Sequence, residues 1–180
     1  MKKTNIAIFV ISTVVSLTAV IAGIITVIRE RNISANTTNN LMKGNITNKN
    51  LPRGYRNNNP LNIRIGKSRW KGKVSPNTDG VFEQFESMGY GFRAALKLIQ
   101  NYISSGNNTI RKIISKWAPP TENSTSSYIS NVCSRIGISP DDIVNGSNKE
   151  QMTNIVYAMA ISENGYAPSW TDVNAGWDLL

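Results

Sequence analysis

Glu163 occupies a position that stability alone would not choose for a carboxylate. From about Lys149 to Glu163 the apolar residues Met152, Ile155, Val156, Met159 and Ala160 recur at helical spacing, and the next position on that stripe is Glu163. The segment stops at Asn164-Gly165, so the carboxylate also sits at a helix C-terminus. There the negative end of the backbone dipole disfavours an anion by roughly 0.3 to 1 kcal/mol. Partial burial and a negative helix end both disfavour the ionised form, which is what a general acid working near neutral pH requires. The competing reading is a frayed helix end that turns Glu163 into water.

The other chemistry available to the chain is limited. There is no histidine and one cysteine, Cys133. Imidazole-dependent triads, cysteine and histidine zinc sites and disulfide frameworks are therefore excluded, which leaves carboxylates as the acid and base groups. No metal or cofactor is expected. Candidates for a second carboxylate are Glu122, between Pro120 and Asn123, and Asp79, with Glu83 and Glu86 nearby around Phe82 and Phe85. A helix N-terminal charge explains Glu122 as readily, and a solvated acidic face explains the others.

Helices must position these groups. Phe92, Ala95, Leu96, Ile99 and Ile103 predict a helix from about Gly89 to Ser104 that ends before Gly106. Thr109 can cap a short second helix carrying Ile110, Ile113, Ile114 and Trp117, which must stop by Ala118-Pro119-Pro120. A third, from about Ser124 to Ile136, carries Tyr128, Ile129, Val132 and Cys133, with Gly137 placed as its C-terminal cap. The fourth is the segment that ends at Glu163. Before residue 86 the stretch RGYRNNNPLNIR reads as turns and loop, followed by a short extended stretch near Trp70. The expected class is mainly α, a small helical domain over 51–180 with a loop and short-strand N-terminal part.

Upstream of that domain, residues 6–28 are 23 consecutive uncharged residues, long enough at about 1.5 Å rise per residue to span the roughly 30 Å hydrocarbon layer. They predict a transmembrane anchor. Lys2 and Lys3 before it outweigh Arg29, Glu30 and Arg31 after it, which favours residues 1–5 in the cytoplasm and the C-terminal domain outside. A cleaved signal peptide is the alternative. Residues 29–50 are rich in Asn and Thr and read as a flexible tether. Net charge is +9, and Arg53, Arg56, Arg64, Lys67, Arg69, Lys71 and Lys73 follow one another without an intervening acid. Such a run favours anionic partners, whether wall polymer, lipid headgroups or nucleic acid.

The segment YAMAISENGY resembles the helix end of N-acetylglucosaminidases of the lysozyme-like superfamily, where a short Glu-Ser-Gly or similar sequence supplies the catalytic glutamate. NNNPLNI resembles the asparagine-rich loop that follows that glutamate, and Trp70-Lys71-Gly72 with FEQFESMGYGFRAALKLIQNY resembles the stretch after it. The glutamate helix comes last here, so the likeness, over most of residues 53–166, is to a circular permutation, which neighbouring domain termini permit. In unpermuted order the chain resembles small phage and prophage proteins with RGxRNNNPxNI, WAPPxEN and a terminal ENG, described as virion structural proteins and associated with cell-wall lysis. The resemblance implies Glu163 as general acid and Asn58, Asn59 and Asn62 lining a sugar groove. It also implies Trp70 as a stacking surface and Tyr128 beside the glutamate, although core packing explains both side chains equally well.

The leading expectation is a membrane-anchored glycosidase or lytic transglycosylase acting on peptidoglycan. A noncatalytic glycan-binding or virion-structural module, attached to the wall or the phage particle, is the second. A nucleic-acid-binding membrane protein ranks last, because few aromatics interleave the basic residues and no nucleic-acid-binding signature is present.

Overall fold

Phe92, Ala95, Leu96 and Ile99 lie on one face of the helix that begins after Ser87, and all four are fully buried. Around that face the chain folds as a helical domain. Residues 51–119 and 124–180 are described by a computed structural model. The expected anchor over 6–28, the tether over 29–50 and Glu122 lie outside the described residues. Among the described residues no helix is long and apolar enough to cross a membrane.

The order of elements is α1 (Arg53–Arg56), α2 (Met88–Ser104), α3 (Ile110–Trp117), α4 (Ser124–Ile136), α5 (Lys149–Asn164) and α6 (Trp170–Asp178). Local chemistry sets the boundaries. Ser87, Thr109 and Asn148 cap α2, α3 and α5 by accepting from the backbone N–H of Tyr90, Lys112 and Gln151. Gly137 and Gly165, both at φ 70°, end α4 and α5 in the left-handed conformation that glycine adopts without a Cβ clash. The α5 stripe of Met152, Ile155, Val156, Met159 and Ala160 is fully buried. Each large side chain so removed from water contributes about 1.5 to 3 kcal/mol before chain entropy is counted.

Sequence reasoning missed α6, which Ser169 caps. Trp170, Val173 and Trp177 stand at i, i+3 and i+7 and pack against the core, Val173 fully buried. A Cβ on Gly176 would lie 3.0 Å from the Arg93 nitrogen and 3.1 Å from the Gly89 carbonyl oxygen, so the backbones of α6 and α2 approach closely there.

The short extended stretch expected near Trp70 forms no strand. Among the described residues the only pairing in residues 51–86 is by isolated antiparallel bridges, Arg64 with Phe82 and Lys73 with Phe85. Backbone hydrogen bonds such as Glu83 N to the Ile63 carbonyl and Phe85 N to the Asn57 carbonyl hold this lobe together with side chains. Asn59 is fully buried; its Nδ2 donates to the carbonyls of Ile63 and Glu83, and its Oδ1 accepts from Ile63 N, each at 2.9 Å. Asn58 Nδ2 donates to the Phe85 carbonyl at 3.0 Å. The lobe then meets α2 at Gly91, where any Cβ would collide with the Asn58 carbonyl oxygen and come within 2.7 Å of Pro60 Cδ.

Asp79 is the other organiser of the lobe. Its carboxylate accepts from Arg53 Nε at 2.8 Å and a terminal Arg53 nitrogen at 2.7 Å, from Asn57 Nδ2 at 2.8 Å, and from the backbone N–H of Val81 and Phe82. Arg53 foremost, with these other donors, holds the Asp79 carboxyl far below the usual carboxylate range. A depressed folded value stabilises the fold above the unfolded value of about 3.9, and that contribution is lost as pH falls through the folded value. Asp79→Asn should therefore lower the melting temperature at about pH 7, with the gap from wild type narrowing progressively below about pH 4. Thermal melts across that range check this, and a gap independent of pH would contradict it.

Candidate active site

The last turn of α5 is fastened to the asparagine loop. Asn164 Nδ2 donates to the Pro60 carbonyl at 2.6 Å and to the Ala160 carbonyl at 2.9 Å. The contact requires Gly54 on α1. A Cβ there would strike Asn164 Oδ1 and lie 2.9 Å from the Asn59 carbonyl and 3.1 Å from Asn62 Oδ1.

Glu163 is thereby half-buried between two donors from distant parts of the chain. The Tyr128 hydroxyl of α4 donates to Glu163 Oε1 at 2.9 Å, and Asn62 Nδ2 donates to Oε2 at 3.2 Å. Burial, and next the Glu163 charge, push the Tyr128 hydroxyl well above its ordinary range, so it remains a donor. Asn62 has φ 52°, left-handed backbone that asparagine tolerates better than most residues. Its Oδ1 is buried without a hydrogen-bond partner, a local cost of about 1 to 3 kcal/mol.

Asn62 also lines a groove of about 330 Å³, together with Ile63, Arg64, Gly66, Ser68, Trp70, Leu98, Tyr102 and Trp117. Its amide thus joins the carboxyl to the groove. Three aromatic side chains beside an amide, a hydroxyl and a guanidinium match the amphipathic surface of a pyranose ring. The volume lies at the lower end of the range of about 300 to 1,000 Å³ for small-ligand sites. None of the described residues lining it is acidic.

Of the residues singled out from sequence, Glu163, Tyr128 and Asn62 meet directly, and Trp70 shares the groove with Asn62. Asn58 and Asn59 do not face it in a useful way, since their amides are committed to backbone carbonyls within the lobe. Asp79 is engaged by Arg53, Asn57 and the N–H groups of its own turn, and it does not line the groove. Glu83 is fully buried, accepting from Lys73 Nζ at 2.9 Å and from Gly66 N at 3.2 Å. Sequence reasoning missed Gly54, Asn164, Tyr102 and Trp117. Asn164 was visible only as the residue between the glutamate and the capping glycine, while Trp117 reads as one more apolar position of α3.

The basic run is narrower than its sequence suggests. Arg53 pairs with Asp79 and Lys73 with Glu83. Arg64, Lys67, Arg69 and Lys71 stay exposed, and no ion pair among the described residues includes them.

No family model matches the chain. It is 34% identical over 131 residues to Protein P5 of Pseudoalteromonas phage PM2, an alignment covering 70% of this chain and 80% of that protein.

The contacts around Glu163 separate by substitution. Tyr128→Phe removes one donor and keeps the ring, so its stability loss should stay within about 1.5 kcal/mol. Gly54→Ala drives Asn62 and Asn164 away from the helix end and should cost about 1 to 3 kcal/mol. Urea unfolding of both variants tests the ranking, which a Gly54→Ala chain as stable as wild type would reverse.

Proposed function

The chain belongs to the family of Protein P5 of phage PM2, and we propose that within this phage family it is a peptidoglycan glycan-strand hydrolase with Glu163 as general acid. The observation that carries the reading is the Glu163 carboxyl, held at a helix end by Tyr128 and Asn62 with Asn62 forming part of an aromatic groove. The likeness of YAMAISENGY and NNNPLNI to the lysozyme-like superfamily supports the same assignment.

In this reading a sugar ring rests against Trp70 and Trp117, and its glycosidic oxygen lies within reach of Glu163. The glutamic acid gives its proton to that oxygen as the bond to the anomeric carbon breaks, the bonding pair leaving with the oxygen. Tyr128 and Asn62 hold the carboxyl throughout. The positive charge that develops at the anomeric carbon is met by water, by the substrate's own N-acetyl carbonyl, or by its 6-hydroxyl as in a lytic transglycosylase. The last two routes need no second protein carboxylate, and Glu122 remains the candidate base for the first. The 23 uncharged residues at 6–28 support a membrane anchor with the domain outside the cytoplasm, close to the wall it cuts.

The phage origin of the relative favours a second reading, a noncatalytic module of the phage particle that holds glycan in the same groove. One experiment separates the two. The full chain in detergent is incubated with purified peptidoglycan, and the sugar ends produced are analysed by mass. Glu163→Gln should lower the rate of end release by about 10² to 10⁴-fold with the melting temperature near wild type. An equally active variant would remove Glu163 from the mechanism. Wall binding with no ends released by the wild-type chain would favour the second reading.

A further inference from the structure

The wall of the groove formed by residues 64–71 sorts its cations. Arg64, Gly66, Ser68 and Trp70 line the groove, whereas Lys67, Arg69 and Lys71 between them do not and are exposed. A run that looks uniformly basic in sequence therefore delivers one guanidinium to the groove lining, while the other three exposed cations lie outside it.

Arg64 is arranged to use its donors on a ligand. Its guanidinium carbon lies 5.4 Å from the Phe82 ring centroid, and its backbone bridges to the same residue. The same ring also carries the Arg53 guanidinium carbon at 4.6 Å, and the cation–π contact of Arg64 uses none of its N–H donors on a hydrogen-bond acceptor. Neither Arg53–Asp79 nor Lys73–Glu83, the ion pairs on either side in sequence, involves it. Neutral sugars are satisfied by aromatic faces, amides and hydroxyls, all of which this groove already has. A planar fork of N–H donors matches a carboxylate, which it can bind in bidentate fashion.

We infer that Arg64 recognises a carboxylate on the glycan bound in this groove, so that the strand it accepts presents an acidic group next to the ring stacked on Trp70. The inference rests on the glycan reading of the groove but not on turnover. Two sources supply the same chemistry: a lactyl ether carboxylate on the sugar itself, and a carboxylate of a peptide attached to it.

The test uses the full chain carrying Glu163→Gln in detergent, so that ligands are bound and not consumed. Affinities are measured for neutral N-acetylglucosamine oligomers, for strands freed of peptide with the lactyl carboxylate exposed, and for strands that retain their peptides. The acidic strands should bind at least about tenfold more tightly than the neutral oligomers, the scale of one charge-assisted contact. Arg64→Gln should abolish that preference, Arg64→Lys should keep part of it, and added salt should weaken it. A preference for peptide-free strands assigns the lactyl group, and a preference confined to peptide-bearing strands assigns the peptide; either supports the inference. Equal affinity for all three ligands, or a preference that survives Arg64→Gln, overturns it. End release with Glu163 intact is read separately. Ends released by a chain without an Arg64-dependent preference remove this inference alone, while an Arg64-dependent preference without any ends released removes the hydrolase reading alone.

Discussion

The junction between the end of α5 and the asparagine loop is the constraint from which the rest of the site follows. Asn164 donates to one carbonyl of its own helix and to one of the loop, and Gly54 allows the approach. Because Glu163 immediately precedes Asn164, fixing the helix end also fixes the carboxyl. Tyr128 and Asn62 complete its surroundings from positions 35 and 101 residues away in sequence. A helix end left to fray would release the carboxyl into water. Here the clamp removes that freedom, and the unsatisfied Oδ1 of Asn62 is a local cost of holding the loop so close.

The lobe facing the helices is held by means unusual for a segment of its length. Residues 51–86 use isolated bridges and scattered backbone hydrogen bonds where a hairpin would use a ladder, and amide side chains add to them. Asn59 makes three hydrogen bonds within the lobe, so the buried amide is almost fully satisfied and rigidifies the turn it spans. Asp79 does the same for the next turn with the help of Arg53. The stiffness matters for function because this lobe supplies Asn62, Arg64 and Trp70 to the groove, and a side chain on a floppy loop would present no defined surface.

Electrostatics divide the cations of the same lobe. Ion pairs neutralise the basic run at Arg53 and Lys73, while of the exposed cations Arg64, Lys67, Arg69 and Lys71 only Arg64 lines the groove. The exposed cations set a field that reaches over the screening length, roughly 8 to 10 Å in physiological salt, whereas Arg64 shares its groove with Trp70, Tyr102 and Trp117.

Four of the helices, the Thr109 cap and the closing glycines Gly137 and Gly165 were legible in the sequence, because helical periodicity and capping involve residues three or four apart and need no tertiary information. The Glu163 position at the end of a buried stripe was legible for the same reason, and the lack of histidine and of a second cysteine was legible from composition alone. The tertiary structure alone decided which asparagine reaches the carboxyl: Asn58, Asn59 and Asn62 look alike in sequence, and their separate backbone angles and burial give them separate tasks. It also decided how closely α6 approaches α2, since Gly176 leaves room for a backbone approach that the short stripe of Trp170, Val173 and Trp177 does not foretell. The partners of Glu163, the aromatic groove and the neutralisation of Arg53 and Lys73 all join residues far apart along the chain. Such contacts depend on how the helices and the lobe close on one another, which local spacing does not encode.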